Sequence, residues 1–311
     1  MKPQCNLIID SCCDLPAALV KQPGITMIKF PYVLKGVEYA DDLYQTHDAR
    51  EFYEAMRDKK GDLPTTSQIP TRTLTETFEH ALQSGVPTVY LCFDSALSGS
   101  FDSAQLMCQT LSEKYPDGKL YCVDTHLASI AEGVLVESAI KQRNDGLTAE
   151  EMISWANEAR FFVNAQFMVD DLYYLKRGGR IPPAAATLGS ALDVKPLLGF
   201  DVSGPLSLSG LARGRKKGIR QLAAYYTKRA NDKDTGRHII IGDADCPKDA
   251  KRLEEEILKS VPDAVFTETK IGPVIGSHVG PGMLALSFWG PDVRKDVGVA
   301  DRIARRVKHH G

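Results

Sequence analysis

No apolar run in this chain approaches the roughly 20 residues that a membrane-spanning helix requires. Net charge is equally scarce. The 38 Lys and Arg nearly balance 40 Asp and Glu, leaving −2, so no global basic balance draws the chain to nucleic acid or to an anionic lipid surface. The opening residues MKPQCNLIIDSC reach Asp10 too soon for the apolar core of a secretory signal, and a cytoplasmic location is expected. The seven cysteines are odd in number and form no Cys-x-x-Cys pair. Several sit in apolar runs such as VYLCF and KLYCV, where buried reduced thiols are the expectation. Sequence signatures of self-contained chemistry are missing too. There is no Gly-x-x-x-x-Gly-Lys-Ser/Thr loop, no Gly-x-Gly-x-x-Gly after a strand, no Gly-x-Ser-x-Gly elbow and no His-Glu-x-x-His. The seven histidines lack ligand spacing, and His238, opening an apolar strand, reads as structural. These absences favour binding over catalysis.

What is present is an ordinary globular composition, 43% hydrophobic and 25% charged over 311 residues. Such a length suits two domains, each able to bury its own core. The first half alternates strand-like runs (NLIID, MIKFPYVL, TVYLCF, KLYCVD) with helical patterns. That spacing demands crossovers and therefore a mainly parallel sheet. Asp14 is placed to cap a short helix, with Pro16 near its start. Thr73 with Glu76 and Thr148 with Glu151 read as capping boxes, and Gly85 as a helix stop. In the second half strands outnumber crossover helices: AQFMVDDLYYL, PLLGFD, GPLSLSG, RHIIIGDAD, AVFTETKIG and GMLALSFWG. This predicts an α/β domain over residues 1–162 and an α+β domain with a mixed or antiparallel sheet over 163–311. No repeat or low-complexity linker separates them, and the terminal KHHG is assigned no role.

Four polar clusters stand out. In PTTSQIP, residues 64–70, Thr65, Thr66 and Ser67 align three hydroxyls before a helix, a pattern that also suits a plain turn. In FDSALSGSF, residues 93–101, Ser95, Ser98 and Ser100 follow a buried strand and open a helix. Ligands gather at the carboxyl ends of α/β strands, and helix N-termini favour anions. Asp94 opposes an anion there unless a cation offsets it. The basic run LARGRKKGIR, residues 211–220, opens a helix where the dipole disfavours cations. Arg213 has the planar fork that suits a carboxylate or phosphate. The run is weak evidence for nucleic acid. In IGSHVGPGMLAL, residues 275–286, His278 lies among Gly276, Gly280 and Gly282. Glycines there permit close backbone approach, and an imidazole so placed has the means to hydrogen-bond a ligand oxygen.

Taken in order, IIDSCCDLP, TTSQIP, DSALSGSFDSA, VDTHLAS, LYYLKRGGRI, LARGRKKGI and GSHVGPGML give the chain a resemblance to the DegV family, from about residue 5 to residue 290. That family includes the fatty-acid-binding subunits of bacterial fatty acid kinase. The resemblance implies a two-domain fold, an N-terminal α/β domain and a C-terminal α+β domain, with a ligand tunnel between them. It implies a fatty acid held by its carboxylate and presented to a separate kinase subunit, which carries ATP and metal and makes an acyl phosphate for phospholipid synthesis. No cofactor or metal is implied on this chain, no intrinsic enzyme activity and no nucleic acid, with at most transient membrane contact for lipid exchange. Carried over residue by residue, the ligand contacts fall on Thr66, Ser67, Ser95, Arg213 and His278. Arg180, in KRGGRI, is implied as a further ligand or partner contact, and the positive charge of Lys216 and Lys217 makes them candidates for contact with an acidic partner.

Two departures from the family pattern bear on the head group. Asp94 precedes Ser95 where two adjacent serines are usual, and Ile69 stands where TSQP would place a proline. Two alternatives therefore stay open: a carrier or regulator for another acidic small molecule, and a hydrolase with Ser95 and His278 as nucleophile and base. The second lacks an evident third group to orient the histidine.

Overall fold

The computed structural model describes residues 2–181, 193–230 and 237–295; the terminal KHHG lies outside them. Strands β1 (Asn6–Asp10), β6 (Thr88–Cys92) and β7 (Leu120–Asp124) join β2 (Ile25–Ile28) in a parallel sheet of order β2-β1-β6-β7. All five side chains of β6 are buried, as a strand covered on both faces requires. The chain runs from β1 outward to β2 and later returns to β1's other side as β6. The carboxyl ends of β1 and β6 therefore flank a switch point, where ligands of open α/β sheets settle.

Helix α1 (Ala17–Val20) follows β1, but Asp14 does not cap it. The run MIKFPYVL, expected to be one strand, breaks before Pro31 into β2 and β3 (Pro31–Leu34), which belong to different sheets. Strand β3 turns at Lys35 and Gly36, both at positive φ, into β4 (Val37–Ala40), and it pairs on its other edge with β5 (Thr65–Thr66). This small antiparallel sheet was not foreseen. Helix α2 (Ala49–Arg57) is capped by Asp48, whose carboxylate accepts from Arg50 N and Glu51 N. Helix α3 (Thr71–Gln83) begins directly after Pro70. Thr73 and Glu76 are already inside it and form no capping box; Glu76 accepts from Arg72 Nε at 2.7 Å instead. Helix α4 (Ser100–Lys114) follows β6, and α5 (Ile130–Asn144) follows β7. Helix α6 (Ala149–Ala159) has the expected Thr148–Glu151 box, both bonds formed.

From residue 163 the chain builds a second sheet, of order β10-β9-β8-β13-β11-β12. Its strands are β8 (Val163–Met168), β9 (Val194–Phe200), β10 (Leu206–Arg213), β11 (His238–Asp243), β12 (Val265–Lys270) and β13 (Leu284–Trp289). Only β11 and β12 run parallel, so the sheet is mixed. AQFMVDDLYYL, expected to be one strand, divides into β8 and helix α7 (Tyr173–Arg177). Helices α8 (Arg215–Arg229) and α9 (Pro247–Leu258) pack on each other. The glycine-rich stretch is not a bare turn. Residues Pro273–Val279 form helix α10, and His278 sits in its last turn. His238 donates to or accepts from Thr267 Oγ1 at 2.9 Å, a structural role.

The two sheets share one core, and the second sheet holds a further one of its own beneath α8 and α9. Helix α5 buries residues around most of its circumference, the mark of a helix enclosed on all sides. It touches β1 of the first sheet and β8, β11 and β13 of the second. Helix α10 belongs to the C-terminal half by sequence, yet it packs on α2, β3 and β5 of the N-terminal half. Its entry is fixed by Asp14, which is fully buried in the left-handed region at φ 49°. One carboxyl oxygen accepts from Gly272 N at 2.8 Å, and the other accepts from the Ser129 hydroxyl that begins α5. Its backbone carbonyl accepts from Thr269 Oγ1 at 2.8 Å. Tyr53 of α2 donates to Ile271 O at 2.7 Å, and Gly276 leaves room for that tyrosine: a Cβ there would lie 2.5 Å from its hydroxyl.

Several buried carboxyls surround this junction without a basic partner at hydrogen-bonding distance. Burial pushes Asp10 and Asp41 up to about 7, and raises Asp14 and Glu132 well above the usual carboxylate range. Neither oxygen of Glu132 has a hydrogen-bond partner among the described residues. Between the ordinary carboxylate range and the raised values the folded chain retains protons that the unfolded chain has released. Each such proton lowers stability by about 1.4 kcal/mol for every pH unit gained. The midpoint of denaturant unfolding is therefore expected to fall as pH rises from about 5 to about 7. Asp14 and Glu132 extend the decline above that. A midpoint that is flat or rises over this window would contradict these assignments.

Candidate functional site

A cavity opens between the first sheet's carboxyl edge and the inner face of the second sheet. It takes in about 1030 Å³ of space free of protein atoms, its open mouth included. Its walls come from both halves: Phe30, Phe93 and Ile130 on one side, Phe167, Phe200 and Leu286 on the other. Polar groups on its surface include Thr66, Ser67, Gln68, Ser98, Arg180 and His278.

The best-defined polar contact joins the halves. Thr66, at the end of β5, and His278, at the end of α10, share a hydrogen bond of 2.8 Å between Oγ1 and Nε2. Pairing of β5 with β3 holds the threonine, since Tyr32 lies opposite it in the ladder. Burial, with the nearby Arg180 and Arg177 charges adding to it, pushes His278 down to about 4, so its imidazole is neutral near pH 7. Nδ1 is buried without a hydrogen-bond partner among the described residues. A buried N–H left unpaired is the rarer and costlier state than a bare lone pair. The proton therefore belongs on Nε2, which donates to Thr66 Oγ1 and leaves the threonine hydroxyl proton free for the cavity.

The glycine that admits the imidazole is not one of its sequence neighbours. A Cβ on Gly178 would lie 2.2 Å from His278 Nδ1. Gly280 and Gly282 adopt positive φ, at 78° and 84°, and serve the exit from α10 toward β13. Beyond Gly178, Arg180 donates Nε to Leu97 O at 3.1 Å and Nη1 to Gly178 O. Arg177 donates to Pro64 O and Leu63 O at 3.0 and 3.2 Å. The KRGGRI segment thus clamps the loops on either side of the hydroxyl cluster and places positive charge at the cavity wall.

Four of the residues singled out from sequence meet here: Thr66, Ser67, Arg180 and His278. Ser95 does not line the cavity. The chain makes a helical turn after β6, with Leu97 N and Ser98 N donating to Asp94 O, and Ser95 N donates to Asp124 Oδ1 at 3.2 Å. Ser98 and Gly99 face the cavity in its place. A nucleophile–base pair of Ser95 and His278 is not assembled. Arg213 is also elsewhere. It ends β10 beside buried Ala212, and strand alternation turns it outward, where it is exposed. Lys216 and Lys217 are exposed at the start of α8 and do not line the cavity. The partly buried member of that basic run is Arg215, which donates to Asp249 and Asp170; this ion pairing accounts for that one cation at the helix start.

Both departures from the family pattern are explained locally. Asp94 is fully buried and is not part of the cavity lining that holds Thr66 and His278. Ile69 donates its N–H to Ser100 Oγ at 3.3 Å, a bond a proline could not make. Gln68, Ser98 and Ser129 line the cavity without having been chosen. Ser98 was visible in the serine cluster, and Ser129 ends the VDTHLAS motif, but nothing in either pattern revealed which side chain turns inward.

Comparison with known proteins is consistent along the chain. The family model described as "Uncharacterised protein, DegV family" matches residues 4–290. A DegV domain-containing protein of Clostridium perfringens is 37% identical over 284 residues, spanning 91% of this chain and 97% of that protein. Among solved structures, DegV of Bacillus subtilis, described as a fatty acid binding protein, superposes with a TM-score of 0.79 at 28% identity, covering 93% of this chain and 100% of that one. A fatty acid binding DegV family protein of Streptococcus agalactiae has the same fold, with a TM-score of 0.81 at 23% identity, over 93% of this chain and 99% of that one.

Gly178 has φ −76°, which alanine adopts freely, so Gly178→Ala should act through the imidazole alone. It is expected to destabilise the chain, and His278→Ala in the same chain should remove most of that cost. Denaturant unfolding of the four variants in a double-mutant cycle should give a coupling of about 1–3 kcal/mol. Additive effects would mean that Gly178 does not position His278.

Proposed function

The chain belongs to the DegV family, and on that premise we propose that it binds a long-chain fatty acid in the cavity between its two sheets, with the carboxylate at the Thr66–His278 end. The observation that carries this reading is the division of the cavity wall. A mostly apolar enclosure ends in hydroxyls, a neutral imidazole and a guanidinium. In this reading the Thr66 hydroxyl, oriented by His278 Nε2–H, donates to the carboxylate. Ser67 adds a second hydroxyl, and Arg180 supplies the compensating charge. A neutral His278 suits the role, because it orients a donor without adding a buried charge.

Magnitudes separate the parts. Burying a sixteen-carbon chain at roughly 0.8 kcal/mol per CH₂ yields on the order of 10 kcal/mol before ordering costs. Affinity then rests on the apolar wall. The polar end fixes the position and exposure of the head group.

We further propose that the protein presents this carboxylate to a separate ATP-dependent kinase subunit, which forms the acyl phosphate. ATP and metal would reside on that partner, and the chain itself would act as carrier. Support comes from the position of Arg180, which lines both the cavity and an adjoining surface recess with Lys176 and Gly179. Exposed positive charge there and at Lys216 and Lys217 suits encounter with an acidic partner face.

Two measurements test the division. His278→Ala should lower kinase-coupled turnover by roughly tenfold or more while changing fatty-acid Kd by less than about threefold; equal losses in both would contradict it. Lys216→Glu combined with Lys217→Glu should slow phosphorylation and leave the lipid content of the purified protein unchanged. Unaltered turnover would remove that surface from the docking proposal.

A further inference from the structure

A second cluster of chemistry lies away from the hydroxyl–imidazole end. Strands β6 and β7 are neighbours, with Cys92 opposite Asp124. Asp94 follows β6 by two residues and His126 follows β7 by two, so both turns converge. His126 Nδ1 lies 3.2 Å from Asp124 Oδ2 and 3.9 Å from Asp94 Oδ1. One donor atom from each of the three residues falls within 4.8 Å of the others. Metal–ligand bonds to nitrogen and carboxylate oxygen near 2.0–2.2 Å place ligand atoms roughly 3–3.5 Å apart; the His126–Asp124 separation matches, and Asp94 would have to draw closer than its 3.9 Å.

The bonds within the turns fall on the Oδ1 atoms and leave both Oδ2 atoms without a hydrogen bond among the described residues. Asp124 Oδ1 accepts from Ser95 N and His126 N, and Asp94 Oδ1 accepts from Ala96 N. The Asp94 side chain is 0% exposed, and its Oδ2 has no hydrogen-bond partner among the described residues. His126 Nδ1 is likewise buried without one, although it faces both carboxylates. Two carboxylates directed at one unpartnered imidazole nitrogen form an arrangement that costs stability unless a positive species lies between them. The neighbouring cation, Arg160, is engaged with the Asp124 carbonyl through Nη1 at 2.6 Å and does not bond either carboxylate.

We propose that Asp94, Asp124 and His126 form a divalent-cation site, with one imidazole and two carboxylate ligands. This donor set suits Mn²⁺ or Zn²⁺ better than soft thiophilic ions or a cation demanding only oxygen. The His126 imidazole is 26% exposed and the Asp124 carboxylate 11%, which gives an ion and its waters an approach. Occupancy would have a structural consequence. Gly204, in the turn between β9 and β10, is at φ 104°, and a Cβ there would lie 2.3 Å from Asp94 Oδ1. The C-terminal hairpin therefore presses against the Asp94 carboxylate, and a bound ion would brace the loop that carries Leu97, Ser98 and Gly99 against that hairpin.

Mn²⁺ binding to the full-length, lipid-free protein tests this, because Mn²⁺ avoids the seven thiols and reports free and bound ion by electron paramagnetic resonance. The wild-type chain should bind Mn²⁺ saturably and melt at a higher temperature with it. Asp94→Asn and His126→Asn should each weaken binding by roughly 100-fold or more and abolish the melting shift. Both variants are expected to fold. Asn at 94 keeps the shape and removes a buried charge, and Asn tolerates the φ of 51° found at residue 126. Absence of saturable Mn²⁺ binding to the wild type, or variants that bind as it does, would overturn the proposal and leave a simple His126–Asp124 contact. Fatty-acid binding plays no part in the readout, so the two readings fail separately.

Discussion

The arrangement depends first on the Asp14 carboxyl. It receives an N–H from Gly272 and a hydroxyl from Ser129, while its carbonyl receives the Thr269 hydroxyl. Three segments meet on one buried residue: the end of β1, the start of α5 and the approach to α10. Those bonds make the burial tolerable, since a buried polar group without partners costs several kcal/mol. They also set where α10 begins, and His278 follows from there by the rise of less than two helical turns. His278 is thus positioned by a contact on the far end of its helix.

From that anchor the cavity acquires two kinds of wall. Helices α5 and α10 are enclosed by both halves and cannot move without disturbing a continuous apolar core. The hydroxyl cluster, by contrast, sits on β5 and the loop after it, held by backbone pairing to β3 and by Arg177 and Arg180 bonding to Leu63, Pro64 and Leu97 carbonyls. A rigid apolar wall and a clamped polar end suit a ligand whose tail supplies affinity and whose head must be held in register.

Much of this was legible in the sequence, for identifiable reasons. The parallel N-terminal sheet followed from alternating apolar runs and crossover lengths, and the mixed second sheet from strands outnumbering helices. The Thr148–Glu151 box was readable because both of its bonds are local. Thr73–Glu76 had the same spacing, but Pro70 starts the helix earlier, and position within a helix is not encoded in a four-residue pattern. The breaks after Ile28 and Met168 were missed because apolar periodicity continues across them while the chain changes sheet or becomes helical. In the site, Thr66, Ser67, Arg180 and His278 converge as the family resemblance implied for three of them and allowed for the fourth. Ser95 and Arg213 fail for a common reason: a motif gives order along the chain, whereas facing depends on one helical turn after β6 and on the alternation of β10. Gly178 was invisible, since its role is to leave space for a residue 100 positions away.

The proposed cargo of the cavity is a fatty acid. Mass spectrometry of the organic extract of the purified protein is the most direct test. A long-chain fatty acid in near-stoichiometric amount is expected. An extract without one, together with no binding of added fatty acids, would contradict it.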